Sequence, residues 1–184
     1  MLDGGGNVRL KLAGLHKNSV VDGPGLRTVV FTQGCPHACP GCHNPQTHDP
    51  DGGYWVDVNA LAAEILQEKR LRGVTFSGGE PFLQARALAA LAAQLKTQKI
   101  HLVVYSGYTF EELKARAQTD TATAALLSAC DLLIDGPFKQ EEKDLGLLYR
   151  GSRNQRIIDV PASLAAGQVV LSELHQREAG QDYG

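Results

Sequence analysis

No stretch of this 184-residue sequence approaches the roughly 20 consecutive apolar residues of a membrane-spanning helix, so no membrane partner is expected. The opening Met1-Leu2-Asp3-Gly4-Gly5-Gly6 lacks the basic and apolar regions of an export signal, and the expected location is cytoplasmic. An excess of positive charge is missing too. Lys plus Arg number 18 against 20 Asp plus Glu, a net charge of −2 that leaves no general footprint for nucleic acid, so a large partner is expected to be protein. There is no internal repeat, and 20 Gly with 8 Pro fall below the share that marks low complexity, so the glycines must serve local purposes. No Gly-Lys-Ser or Gly-Lys-Thr follows any glycine-rich turn, which excludes a Walker phosphate loop. Cysteine is scarce, with four residues in all.

Three of those four lie within eight consecutive residues, as Cys35-x-x-x-Cys39-x-x-Cys42, bent by Pro36, Pro40 and Gly41. A loop of this kind can wrap one metal centre with three thiolates. A structural zinc site needs four ligands and commonly takes them from two separated pairs. Here the fourth would be His37, His43 or the distant Cys130, and His43 adjoins Cys42 so closely that both bend onto one ion with difficulty. Three thiolates on a short loop suit an iron–sulfur cube, in which each corner iron needs its own ligand and the fourth stays open. A zinc knuckle completed by His37 stays an alternative at this point. A disulfide fits poorly with a chain expected in a reducing compartment.

The length and the 43% hydrophobic content support one domain with a real core. Residues 8–15 alternate as a half-wetted strand, and a polar turn is expected at 16–19. Residues 26–32, with Val29-Val30-Phe31, form a buried strand that delivers the cysteine loop from its C-terminal end, where α/β folds build their sites. After a Gly/Pro/Asp connector at 45–53, the pattern predicts a helix over 58–71, a strand over 73–77, a helix over 81–96 and a strand over 101–105. A helix over 109–118 follows, with Thr109 capping and Glu112 three positions on, then a helical segment ending at Cys130 and a strand over 132–134. Residues 156–160 and 168–171 read as two further strands, and the chain beyond Glu173 as a polar, frayed tail. The β, α, β, α order implies an α/β fold, a mostly parallel sheet open or closed into a partial (βα) barrel, with its core over about residues 10–160.

A second motif, Ser77-Gly78-Gly79-Glu80-Pro81, lies between strand and helix. Two glycines let a backbone bend closely round a ligand, and the carbonyls and the Glu80 carboxylate are acceptors suited to a charged amino group. A Gly-Gly turn alone is usually only a turn. Together with the cysteine triad it resembles the radical S-adenosylmethionine (SAM) superfamily. Val21-Asp22-Gly23-Pro24-Gly25-Leu26-Arg27 is similar to the branch that activates glycyl-radical enzymes. The cysteine loop through Asn44, Tyr105-Ser106-Gly107-Tyr108-Thr109, Asp135-Gly136-Pro137-Phe138 and residues 150–159 are similar to the activating proteins of anaerobic ribonucleoside-triphosphate reductase.

The resemblance implies a 4Fe-4S cluster on Cys35, Cys39 and Cys42, with SAM chelated at the open iron. Gly78, Gly79 and Glu80 are then expected to steer its amino group, the backbone near Gly41, Cys42 and His43 to pack its adenine, and Ser106 and Asp135 to reach the ribose or the methionine moiety. Gly41 stands where many members carry an aromatic residue. An electron from a low-potential donor such as a flavodoxin or ferredoxin would cleave the sulfonium to methionine and a 5′-deoxyadenosyl radical, and that radical would take a hydrogen from a glycine of the anaerobic ribonucleotide reductase. The alternatives are activation of another glycyl-radical enzyme such as pyruvate formate-lyase, and a noncatalytic iron–sulfur or zinc module. Cys130 is expected to be a buried inert thiol, His37 to make a loop hydrogen bond, Tyr54 and Trp55 to pack over the cysteine loop, and Arg150, Arg153 and Arg156 to be solvated, to pair with Asp159 or to meet the partner.

Overall fold

Strand β1 (Arg9–Ser19) is longer than its alternating pattern, because the polar residues expected to turn at 16–19 stay in the sheet. They pair with β2 (Arg27–Thr32) down to Ser19 opposite Arg27, and two register shifts absorb the irregularity. The computed structural model describes residues 7–178. A short strand, β3 (Tyr54–Asp57), pairs antiparallel with β1, and the chain then alternates α1 (Val58–Leu66), β4 (Gly73–Gly78), α2 (Ala85–Thr97) and β5 (His101–Tyr105). Two helices, α3 (Phe110–Arg116) and α4 (Thr121–Ala129), lead to β6 (Leu132–Asp135), β7 (Arg156–Asp159) and α5 (Val160–Ala166).

The seven strands form one sheet in the order β3-β1-β2-β4-β5-β6-β7. The central four, β2, β4, β5 and β6, run parallel, and antiparallel strands close both edges. The expected α/β architecture with a parallel core is therefore present. Alternation along the strands sorts side chains to two faces. Val74, Phe76, Leu102 and Val104 join the core beneath α1 to α4, whereas Val103 and Tyr105 face the other side with Ile134 and Ile157. On that second face Phe31 and Tyr105 border a cleft.

Several local expectations changed. The helix begun at Pro81 opens with a 3-10 turn, Pro81–Gln84, before α2, because Pro81 follows the tightly held Glu80. The strand expected at 168–171 is reduced to a bridge between Leu171 and Ile158, since Gly167 ends α5 in the left-handed region and the chain returns only briefly to β7. Of the expected frayed tail, residues 173–176 form a 3-10 turn that packs on β7, and residues 179–184 lie outside the described part. Trp55 and Tyr54 sit on the edge strand, 42% and 50% exposed, not over the cysteine loop. The cations of Arg9 and Lys11 lie 5.7 and 5.6 Å from the Trp55 ring centroid.

Arg27 explains how the sheet tolerates a cation at its centre. Its side chain is 0% exposed, and its guanidinium donates to the carbonyls of Pro24 (2.7 Å), Val74 (2.7 Å) and His101 (3.1 Å) and to Thr75 Oγ1 (2.8 Å). A Cβ at Gly73 would collide with that guanidinium, so glycine there makes the room. Thr75 Oγ1 in turn donates to the Asp22 carbonyl at 2.7 Å. Through these bonds the turn at residues 22–25 is tied to three strands.

Candidate metal centre

The cysteine loop leaves the end of β2 and is returned to it by backbone bonds. Gly34 N–H donates to the Thr47 carbonyl (2.8 Å) and Cys35 N–H to that of His48 (3.2 Å). The Gln33 side chain donates to the carbonyls of Gln46 (3.1 Å) and Asp49 (2.7 Å), which anchors the connector beneath the loop. Gly34 and Gly41 have φ of +95° and +73°. Ala38 has φ +45°, a left-handed conformation that costs a side-chain-bearing residue energy and persists only where surroundings impose it. The three thiols are free and half-buried. Burial pushes the Cys35 thiol up, and the Glu80 carboxylate adds to the shift. Asn44 N–H donates to Cys42 Sγ at 3.4 Å, a backbone donor to sulfur of the kind that tunes thiolate ligands. Among the described residues no three Cys, His, Asp or Glu side chains are gathered as ligands of a single ion.

The Gly-Gly turn is stitched to the same loop. Gly79 N–H donates to the Thr32 carbonyl and Glu80 N–H to that of Gly34, both at 2.8 Å. Gly78 has φ +94°, and a Cβ there would lie 2.7 Å from the Thr32 amide nitrogen. At Gly79 a Cβ would run into the Gly34 carbonyl. Both positions exclude side chains for steric reasons that precede any ligand.

Glu80 does not open toward a ligand as expected. Its carboxylate is 0% exposed and accepts from Phe82 N–H (2.9 Å), Gly107 N–H (2.8 Å), Ser106 Oγ (3.0 and 3.1 Å) and His37 Nε2 (2.9 Å). Asp135 is also occupied elsewhere: it accepts from Phe110 N–H at 2.8 Å and from Arg156, whose guanidinium also pairs with Glu111. That arrangement holds Arg156 charged well above its ordinary range. Its partners are Asp135 and Glu111, where solvent, Asp159 or the partner protein was expected; Asp159 instead caps α5. Arg150 donates to the His175 carbonyl at 2.7 Å, and Arg153 is an exposed residue 3.8 Å from Asp144. Cys130 is 1% exposed, and burial pushes its thiol well up, as an inert thiol requires.

The cleft bordered by Phe31 and Tyr105, of about 860 Å³, collects most of the expected residues. Cys35, Cys39, Cys42, His43, Gly78, Gly79 and Ser106 all line it, and Glu80, Asp135 and Gly41 do not. The volume is of the order of known cofactor sites. Its far wall had no role assigned from sequence. Phe138 leans on His43 with ring centroids 5.1 Å apart and closes over Gly41, where a Cβ would strike Gln140. Leu145, Leu147, Leu148 and Tyr149 complete the wall, and Val20, Val21 and Leu145 leave apolar side chains exposed at the mouth. Phe138 stood in a segment singled out by resemblance; residues 145–149 carried no periodicity that would mark them.

Three free thiols with a backbone donor to one sulfur, on a loop bonded to a Gly-Gly turn beside a cleft, suit an iron–sulfur cluster with an organic ligand. Residues 21–158 match the family of the 4Fe-4S single cluster domain. The class is thus a one-cluster iron–sulfur protein. The anaerobic ribonucleoside-triphosphate reductase-activating protein of Pasteurella multocida (strain Pm70) is 38% identical over 152 residues, which cover 77% of this chain and 92% of that one. Its namesake from Vibrio cholerae is 38% identical over 146 residues, covering 75% and 90%. The chain belongs to the family of anaerobic ribonucleoside-triphosphate reductase-activating proteins. A partial likeness in structure, to QueE from Escherichia coli, has TM-score 0.48 at 18% identity over 55% of this chain and 53% of the other.

Proposed function

We propose that this chain is a radical SAM enzyme of the cytoplasm that activates an anaerobic ribonucleoside-triphosphate reductase. Cys35, Cys39 and Cys42 hold the 4Fe-4S cluster, and SAM lies against the Gly78–Gly79 turn. When bound and reduced by a low-potential donor such as a flavodoxin or ferredoxin, cluster and SAM together supply methionine and a 5′-deoxyadenosyl radical, which becomes 5′-deoxyadenosine on taking a hydrogen atom from a glycine Cα of the reductase. The chain's own residues bind and exclude water. With the Glu80 carboxylate turned inward, the amino group of SAM is met by the backbone of Gly78 and Gly79, and Glu80 fixes the turn that presents it. Ser106 shares the cleft wall, and the tilted aromatic pair His43–Phe138 offers ring surface for the adenine. Residues 145–149 shield the radical's surroundings from bulk water, and the apolar mouth receives the partner's glycine segment.

The observation that carries this reading is the gathering of three free thiols and the Gly-Gly turn on one cleft, joined by direct backbone bonds. Anaerobically reconstituted protein, reduced with SAM present, is expected to release 5′-deoxyadenosine, and addition of the reductase should give a glycyl radical visible by electron paramagnetic resonance. Cys39→Ala should keep the fold by circular dichroism, lose most of its iron and release no 5′-deoxyadenosine. Release undiminished in Cys39→Ala would overturn the assignment.

A further inference from the structure

His37 occupies the middle of the Cys35–Cys39 segment, yet its side chain points away from solvent and is only 17% exposed. Its Nε2 donates to Glu80 Oε2 at 2.9 Å, so the ring nitrogen facing the carboxylate carries the proton. Its ring meets Tyr108 edge-on, centroids 4.4 Å apart at 70°. A Cβ at Gly107 would collide with the His37 ring, 2.4 Å from its Cδ2. Three neighbours therefore fix one imidazole from three directions, and all belong to other elements: Glu80 follows β4, and Gly107 and Tyr108 follow β5.

The next residue supplies an independent sign of what this contact does. Ala38 is held at φ +45°, and nothing in its own side chain favours that conformation. A strained residue beside a doubly packed, hydrogen-bonded ring is what results when the ring's docking dictates the loop's path. Glu80 would otherwise hold four polar contacts on its own side of the cleft. Among the described donors to the Glu80 carboxylate, His37 alone comes from the cysteine loop, whose first turn the Glu80 amide also meets at the Gly34 carbonyl.

We propose that His37 is a positioning residue that couples the two halves of the site. Through Glu80 it holds the loop of Cys35 and Cys39 at a fixed distance from the Gly78–Gly79 turn, so that the thiolates' cargo and the cradle for the SAM amino group meet in register. The inference rests on the functional reading above. It concerns alignment, so loss of His37 is expected to spare cluster loading and to weaken SAM.

The test compares wild type, His37→Leu and His37→Gln as full-length, anaerobically reconstituted protein. Gln places an N–H donor at the same distance from the backbone as His Nε2, and Leu fills the space with no donor. Iron per chain, amide exchange over residues 35–41, and the paramagnetic resonance spectrum of the reduced protein with and without SAM are measured. His37→Leu should retain wild-type iron, exchange faster over the loop and need about 10- to 100-fold more SAM to change its spectrum, the range seen when a partner behind a ligand is removed. His37→Gln should restore most of the SAM binding that His37→Leu loses. Wild-type SAM affinity in His37→Leu overturns the proposal, as does failure of His37→Gln to bind SAM while holding iron. Should His37→Leu not fold, the Gln variant alone decides in the same way. A wild-type spectrum indifferent to SAM would instead sink the functional reading.

Discussion

A thiol sealed in the core is a pH sensor of the fold. Cys130 donates to the Leu126 carbonyl at 3.2 Å, and burial raises its pKa above the ordinary 9.0. The folded state therefore keeps a proton that the unfolded chain releases. Stability owed to this thiol is fully present below pH 9 and is lost as pH rises beyond it, at a slope approaching 1.4 kcal/mol per pH unit. Between pH 8.5 and pH 10 wild type should lose about 1 kcal/mol more than Cys130→Ala, read from urea unfolding at each pH. Equal losses would mean that the thiol titrates freely when folded. At this scale the sequence was informative about chemistry and less so about direction. The three cysteines and both glycines line one cleft, whereas the carboxylates of Glu80 and Asp135 are bonded within the protein. A carboxylate's identity is visible in a sequence; which N–H groups reach it depends on strands far away, here the amides of Gly107 and Phe110.

Among the elements, α3 is the one whose start was written most fully in the sequence. Thr109 Oγ1 accepts from Glu112 N–H at 3.3 Å while the Glu112 carboxylate accepts from Thr109 N–H at 2.7 Å, the reciprocal pair anticipated from a Thr with Glu three residues later. The same helix start brings Phe110 N–H to Asp135, which ties α3 to the end of β6. Thr109→Ala should cost about 1 kcal/mol in urea unfolding and Thr109→Ser a few tenths at most; equal effects would remove the cap from the account. β3 and α5 were missed, both of them short. β3 has four residues, too few for a pattern of period two to declare itself, and it exists because β1 offers it an edge. α5 has seven, with a start marked by Asp159 and Pro161 that the preceding strand-like residues Ile157 and Ile158 obscured.

On the scale of the whole molecule, one cation holds the middle of the sheet. Among the described residues no carboxylate makes an ion pair with the buried Arg27, and burial lowers its pKa to about 10, so it stays charged at neutral pH. Its cost of burial is offset by the carbonyls of Pro24, Val74 and His101. Arg27→Leu would leave those carbonyls and Thr75 without their donor and should destabilise the protein by about 3 kcal/mol or more, with Arg27→Lys intermediate, by chemical denaturation. A loss under about 1 kcal/mol would show that water takes over the guanidinium's place.

From β2 onward the strands β2, β4, β5, β6 and β7 lie side by side in the order in which the chain runs. Each can join a neighbour that has already left the ribosome, so the sheet can grow one strand at a time during synthesis. The site cannot mature at that pace. Its cysteines emerge early, but Glu80 lacks most of its donors until residues 106 and 107 arrive, and the far wall waits for Phe138 and residues 145–149. A chain grown only as far as residue 105 therefore carries three thiols with neither the far wall nor most of the Glu80 bonds in place.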